Sequence, residues 1–155
     1  MTGERRDDDV AAGRSVAVTH AEAETSALGE ALAADLGPGT VVFLEGPLGA
    51  GKTAFVRGLA AGLGAAPEDV SSPTFAIVQE YRGRIALQHV DLYRLTPVEV
   101  EDLALDDLLE EAAMAVEWPD RWTRAPEPVI RVVIEPVDPS TRRVTIIRPD
   151  GYSTR

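Results

Sequence analysis

The feature that most constrains this 155-residue chain is the stretch EGPLGAGKT at residues 45–53. It matches the pattern G-x-x-x-x-G-K-[ST] at every fixed position, from Gly46 to Thr53. The β-branched and apolar run TVVFLE (40–45) precedes the pattern, and TAFVRGLAAGL follows it. This order of strand, glycine-rich turn and helix is the context that a phosphate-binding loop requires, so the sequence predicts such a loop here.

The spacing of this pattern has physical reasons. Glycines let successive N–H groups turn inward into an anion-binding nest, and the helix that follows directs unpaired N–H groups at the phosphates. Lys52, the only lysine of the chain, can reach the β- and γ-oxygens, and the Thr53 hydroxyl can bind Mg²⁺. The predicted nucleotide-binding residues are Gly46, Pro47, Leu48, Gly49, Ala50, Gly51, Lys52 and Thr53.

Two acidic residues are candidates to complete a Mg²⁺ site. Asp91 ends the run IALQHV and Glu117 ends AMAV, so both are expected at the carboxyl edge of a sheet, where open α/β sheets bind ligands. We expect a metal-binding role for both, and Glu117 has the alternative role of orienting and deprotonating the attacking water. His89 is expected to pack behind Asp91, and Trp118 to lie in the core or an interface.

Thr74, in SSPTF, follows a stiff Ser-Pro step and precedes a predicted strand. Its hydroxyl could bind the γ-phosphate or Mg²⁺ and order its loop around a triphosphate, or it could simply cap the strand. The predicted catalytic residues are Lys52, Thr74, Asp91 and Glu117.

Helical and strand patterns alternate along most of the chain, which predicts an α/β three-layer domain. The expected sheet is mixed and mostly parallel, with antiparallel hairpins at its edges and the phosphate loop near its centre. Thr19 and Glu22 have the spacing of a capping box before the first helix, and Thr96, Pro97 and Glu99 predict a second helix start with a capping box. We predict a single domain over residues 15–148, between a disordered N-terminal tail (1–14) and a C-terminal tail (149–155).

Composition and charge exclude several classes of function. The net charge of −11 argues against direct, tight binding of nucleic acid, and the absence of cysteine excludes thiolate chemistry. No apolar run approaches the ~20 residues that a membrane span needs, so a cytoplasmic protein is expected. An [NT]-K-x-D motif is also absent, because the only lysine lies in the loop, and this argues against a GTPase.

Four segments in fixed order resemble one family. LEGPLGAGKTAFVRGL, VSSPTFAIVQEY, HVDLYRL and VEWPDR are similar to the corresponding segments of the bacterial TsaE (YjeE) family. The loop motif is generic, whereas SPTF together with HVDLYRL and VEW is specific. The resemblance covers roughly residues 20–148, although the part after VEWPDR is only loosely similar.

This resemblance implies an ATPase that supports threonylcarbamoyladenosine modification of tRNA. It implies ATP and Mg²⁺ as cofactors, TsaD and TsaB as partners, and contact with tRNA only through that complex. It places Asp91 in the Walker-B-like position, Thr53 and Glu117 near the metal, Thr74 at the family's switch-like threonine and Trp118 at the tryptophan after the acid. The regions around Thr25 and Arg142 are candidates for contacts to adenine, by location only.

Two other classes remain open on the residues alone. A small-molecule kinase would need an acceptor pocket and usually an arginine-rich lid, for which the chain offers little beyond Arg121 and Arg124. A nucleotide-binding interaction module would hydrolyse nothing, and the presence of Lys52, Thr53 and two acids argues against it.

Overall fold

The structure, a computed structural model, describes residues 13–66 and 77–149. The strands within these ranges are β1 (Arg14–Thr19), β2 (Val41–Glu45), β3 (Val78–Arg82), β4 (Ala86–Asp91), β5 (Ala112–Glu117), β6 (Ile130–Asp138) and β7 (Thr141–Ile147). The α-helices are α1 (Glu22–Leu32), α2 (Lys52–Gly62), α3 (Pro97–Asp102) and α4 (Leu105–Leu108), and short 3₁₀ turns follow α1 (Ala33–Asp35) and β5 (Pro119–Arg121).

The seven strands form one sheet in the order β1-β7-β6-β2-β5-β4-β3. The four strands in the middle of this order (β6, β2, β5 and β4) are parallel to one another, and the outer strands pair antiparallel at both edges. The predicted mixed sheet with antiparallel edge hairpins is therefore confirmed. The predicted phosphate loop follows β2, the fourth of the seven strands in this order.

Side chains alternate between the two faces of the sheet and divide the core into two layers. Along β2, Val42 and Leu44 pack with the cluster that contains Phe55 and Leu59 of α2. Val41 packs on the other face with the cluster that contains Val100 and Leu105. Successive side chains of a strand thus face helices on opposite sides of the sheet. The sheet between two layers of helices is the three-layer arrangement that the sequence predicted.

Helices α1 and α2 cross in backbone contact, which fixes the position of α2 under the sheet. A Cβ on Gly58 would collide with the carbonyl oxygen of Ser26, and one on Gly29 would collide with that of Phe55. Because the two glycines carry no side chain, the helices approach each other closely. Gly46, Lys52 and the rest of the loop are thereby held between β2 and a helix that has little freedom to shift.

One predicted helix start is wrong and another is confirmed. The N-cap of α1 is Ala21, with no side-chain cap, because the Thr19 hydroxyl hydrogen-bonds that of Thr25 at 2.8 Å. Thr96 and Glu99 do form the capping box expected before α3. No helix in the described part of the chain is both long and apolar enough to cross a bilayer.

Candidate functional site

The loop between β2 and α2 has the backbone that its glycines allow. Gly46, Gly49 and Gly51 have φ angles of 155°, 78° and 112°, which L side chains rarely adopt. A Cβ on Gly46 would also collide with the carbonyl oxygen of Ile134. Gly51 is the N-cap of α2, and no side chain caps that helix. Its first N–H groups are therefore available to an anion at the mouth of the loop.

Arg142 on β7 braces the outer side of the loop. Its Nε donates to the carbonyl oxygen of Ala50 at 2.8 Å, and its Nη2 to that of Gly49 at 3.4 Å. Its Nη1 donates to the carbonyl of Asp138 in the β6–β7 turn at 3.0 Å. The guanidinium thus ties the loop's carbonyl groups to the neighbouring hairpin, which favours inward-facing N–H groups.

Lys52 is buried at the start of α2, with 5% of its surface exposed. Its Nζ donates to the carbonyl oxygen of Gly46 at 2.7 Å and lies 3.9 Å from Oε1 of Glu117. Burial lowers the pKa of Lys52, and the negative charges of Glu117 and Asp91 oppose that shift. The ammonium group therefore lies at the base of the loop, between the loop backbone and a carboxylate.

Asp91 and Glu117 end the adjacent parallel strands β4 and β5, where their Cα atoms are register partners. Leu87 and Ala113, which are an even number of residues away on the same strands, pack in the cluster under α2, so both acids lie on the α2 face. Burial raises the pKa of Asp91, the hydrogen bond from the Tyr93 backbone N–H lowers it, and the charge of Glu117 raises it further. Two acids thus lie together beside the lysine at one sheet edge.

Trp118 follows Glu117 in the left-handed region, at φ 59°, which is rare for a tryptophan. The resulting sharp turn brings its ring to Lys52, whose Nζ lies 4.5 Å from the ring centroid. The Tyr93 ring packs against the same indole, with centroids 4.9 Å apart. Trp118 is therefore part of the site rather than a distant core residue.

The donor groups present fit a nucleotide with Mg²⁺. Thr53 offers a hydroxyl oxygen and the two acids offer carboxylate oxygens, which are the ligands that Mg²⁺ prefers. The described residues contain no cluster of three or more acidic, histidine or cysteine side chains that could hold a metal by itself. Such a site suits a cation that takes one or two carboxylates and completes its shell with phosphate oxygens and water.

The remaining predicted residues lie around this centre or outside the described ranges. Leu48 is 69% exposed at the tip of the loop, and Ala50 is buried. Thr25 is buried next to the loop, since its Cγ2 lies 3.9 Å from where a Cβ on Gly51 would stand. Thr74 lies outside the described residues. Contacts of Thr25 and Arg142 with adenine stay a prediction.

A cavity of about 620 Å³ opens beside the loop, along the side of β2 that carries Phe43 and Glu45. Its lining includes Pro47 and Lys52 of the loop and Trp118, so it borders the centre described above. Arg131 crosses one side and donates to both carboxylate oxygens of Glu45, at 2.7 and 2.9 Å. The site is thus continuous with a partly apolar pocket.

Comparison with known proteins identifies the family. The family model for the threonylcarbamoyl adenosine biosynthesis protein TsaE matches residues 19–144. The chain belongs to the TsaE family. The match contains the loop, both acids and Trp118.

Curated relatives and a solved structure agree with this assignment. The chain is 47% identical to the tRNA threonylcarbamoyladenosine biosynthesis protein TsaE of Synechocystis over 108 residues, which cover 66% of this chain and 68% of the relative. It is 41% identical to that of Bacillus subtilis over 125 residues, 79% of this chain and 78% of the relative. The crystal structure of YdiB from Bacillus subtilis superposes with a TM-score of 0.73 at 31% identity, over 90% of this chain and 88% of that chain.

Sequence reasoning missed two contacts of this TsaE-family site. His89 Nε2 lies 2.6 Å from Oε2 of Glu117, which the expectation of a histidine packed behind Asp91 did not include. The Trp118 ring against Lys52 was also not expected. The sequence marks the two residues but not their contacts: a histidine lies within a buried strand, two residues before Asp91 and so on the same face, and an aromatic residue directly follows the strand-end acid.

Proposed function

We propose that this chain is a Mg²⁺-dependent ATPase that supports the threonylcarbamoyladenosine modification of tRNA by acting on a complex of TsaB and TsaD. One observation carries the ATPase part: Lys52 of a complete phosphate loop lies 3.9 Å from Glu117, whose register partner is Asp91. A loop, a cation and two strand-end acids at one edge of a parallel sheet form the usual set for phosphoryl transfer to water.

In this proposal each residue has a separate role. The loop N–H groups and Lys52 bind the β- and γ-phosphates of ATP and compensate their charge. Thr53, Asp91 and Glu117 would hold Mg²⁺, and Glu117 could instead orient and deprotonate the attacking water. A cation held there would supply positive charge against the negative charge that develops on the phosphates. We also propose that Thr74 senses the γ-phosphate.

The pathway part rests on the family. The relatives described above are named as tRNA threonylcarbamoyladenosine biosynthesis proteins, and we extend that role to this chain. Its net charge of −11 disfavours tRNA as a direct ligand. We therefore propose that TsaD carries out the transfer reaction and contacts tRNA with TsaB, while ATP hydrolysis here resets that complex between rounds. Because the proposed reaction acts on tRNA, we propose that the protein works in the cytoplasm.

The test is ATP hydrolysis by the purified chain, with and without purified TsaB–TsaD. We expect slow hydrolysis alone, because an arginine finger supplied by a partner contributes about 10³–10⁵ in rate. TsaB–TsaD should raise the rate or stabilise the ATP-bound form. Fast hydrolysis by the isolated chain that ignores both partners would contradict the proposal.

A second candidate function is favoured by the cavity beside Lys52. A pocket of about 620 Å³ could hold a small hydroxyl-bearing acceptor next to the γ-phosphate, as in a small-molecule kinase. The same assay separates the two functions. A kinase consumes ATP only when an acceptor is added and releases no inorganic phosphate, whereas an ATPase releases phosphate in buffer with TsaB–TsaD alone.

A further inference from the structure

His89 and Glu117 form a buried pair near the carboxyl ends of the neighbouring strands β4 and β5. Their side chains are 0% and 7% exposed, and His89 Nε2 lies 2.6 Å from Oε2 of Glu117. A hydrogen bond this short and this well protected from water holds its two groups in one geometry. The other carboxylate oxygen, Oε1, is the one that lies 3.9 Å from Lys52 Nζ.

The register of β4 and β5 explains why this contact forms. His89 is the register partner of Ala115, and Asp91, two residues further on, is the partner of Glu117. All four residues therefore lie on the α2 face, with His89 diagonal to Glu117. Because Ala115 carries only a methyl group, the imidazole has room to extend across it to the acid.

The partners of the imidazole indicate which nitrogen carries the proton. Nδ1 of His89 is buried and has no hydrogen-bond partner among the described residues. A proton on Nδ1 would be a buried donor without an acceptor, which is costly, whereas a proton on Nε2 is donated to a carboxylate. Nε2–H of His89 is thus the donor, aimed at one oxygen of Glu117.

We propose that His89 is a positioning residue that holds Oε2 of Glu117 so that Oε1 faces Lys52 and the phosphate loop. It acts through Glu117 and contacts no phosphate itself. This inference rests on the proposed function, because the role of the oriented oxygen is to hold the cation or the attacking water. Outer partners of this kind fix the orientation of a carboxylate that would otherwise rotate about its last torsion.

The first experiment detects the hydrogen bond between His89 and Glu117 directly and does not depend on enzymatic activity. His89 and His20 are the only histidines of the chain, and His20 is exposed, so two-bond ¹H–¹⁵N spectra of the imidazoles are readily assigned. At pH 7 we expect a proton on Nε2 of His89, and we expect Glu117→Gln to change its Nε2 shift but not that of His20. An Nδ1–H tautomer, or a His89 signal that ignores Glu117→Gln, would overturn the proposal.

The second experiment replaces His89 with two amide side chains of different length, glutamine and asparagine. The amide nitrogen of glutamine can take the place of Nε2, whereas that of asparagine reaches only about as far as Nδ1. We expect His89→Gln to retain most of the wild-type hydrolysis rate with TsaB–TsaD and His89→Asn to lose roughly 10–100-fold, with ATP affinity unchanged in both. Equal losses in the two variants, or a loss of ATP affinity instead of rate, would indicate a merely structural histidine.

A double-mutant cycle separates this proposal from a folding defect. In a Glu117→Ala background, His89→Gln and His89→Asn should hydrolyse ATP at the same residual rate, because the group through which His89 acts is gone. A further loss on adding His89→Asn would overturn the proposal. If the wild type with TsaB–TsaD hydrolyses no ATP, the proposed function fails, while the imidazole spectra still decide whether His89 orients Glu117.

Discussion

Asp91 and Glu117 are register partners at the ends of two adjacent parallel strands, and both point to the face of the sheet that carries Lys52. Each carboxylate therefore lies near the other carboxylate and near the ammonium group of Lys52. Burial lowers the pKa of Lys52, and the charges of both carboxylates raise it. The edge of the sheet concentrates negative charge that one lysine offsets only in part. A divalent cation bound with the nucleotide would offset the remainder.

Replacing Asp91 with asparagine should stabilise the chain in the absence of nucleotide and Mg²⁺. Burial raises the pKa of Asp91, so the folded state holds the proton more tightly than the unfolded state does. The free energy of unfolding therefore falls as the pH rises above the pKa of Asp91 in the unfolded chain, about 3.9. The loss is complete once the pH exceeds the raised pKa of Asp91 in the folded chain.

The expected Asp91→Asn gain is present at pH 7 and shrinks as the pH falls toward about 4. Thermal unfolding at a series of pH values measures it, with Asp120→Asn at an exposed position as the control. A variant that is less stable than the wild type at pH 7 would show that the Asp91 carboxylate stabilises the fold.

Replacing Lys52 with alanine should abolish productive ATP binding. The loop N–H groups remain, but the β- and γ-charges lose their only compensating ammonium group. We expect affinity at least about 100-fold lower, ~2.7 kcal/mol, in a calorimetric titration with ATP and Mg²⁺. Arg57→Ala in the same helix is the matched control for loss of one positive charge. Unchanged affinity and hydrolysis in Lys52→Ala would contradict the assignment of the phosphate loop.

Replacing Arg142 with alanine should loosen the loop without removing a loop residue. The guanidinium donates to the carbonyls of Gly49 and Ala50, and hydrogen bonds from charged groups contribute about 1.5–3 kcal/mol. We expect ATP affinity to fall roughly tenfold, ~1.4 kcal/mol. The neighbouring Arg143, half-exposed and 3.9 Å from Glu135, provides the control variant Arg143→Ala. Equal ATP affinities in Arg142→Ala and Arg143→Ala would show that the contacts of Arg142 with the loop do not affect nucleotide binding.

Binding of ATP with Mg²⁺ should change the fluorescence of Trp118. Lys52 Nζ lies over that ring and donates to the Gly46 carbonyl, and it must turn toward the phosphates to bind them. We expect the change to be retained in Trp122→Phe and lost in Trp118→Phe. Trp122 is the control, because its ring packs in the core with its centroid 6.4 Å from that of the Phe43 ring. A change that follows Trp122 instead would place the rearrangement elsewhere.

Much of this fold and site could be predicted from short-range patterns. The loop motif specifies its own backbone, and an acid after a buried apolar run indicates a sheet edge, so the positions of Gly46, Asp91 and Glu117 followed from local sequence. The same reasoning failed at Thr19, where the capping-box spacing is present but a hydroxyl from Thr25 competes for the side chain.

The contacts that were missed depend on strand order and register. His89 reaches Glu117 because β4 lies beside β5 and because its register partner, Ala115, is small. Trp118 reaches Lys52 because the backbone turns sharply at φ 59°. Neither the pairing of two distant strands nor a left-handed tryptophan has a local signal, so these parts of the site required the three-dimensional structure.

The Glu117→Ala variant tests the central claim most directly. The loop and Lys52 still hold the nucleotide without this carboxylate, so ATP affinity should stay within about tenfold of wild type, ~1.4 kcal/mol. The transition state should lose more stabilisation than the bound ATP does, because it carries the charge that Glu117 helps to offset. We expect the rate of single-turnover hydrolysis with TsaB–TsaD to fall by about 10²-fold or more, roughly 2.7 kcal/mol of barrier. Near-normal hydrolysis in this variant would make Glu117 a structural strand-end acid and contradict the account.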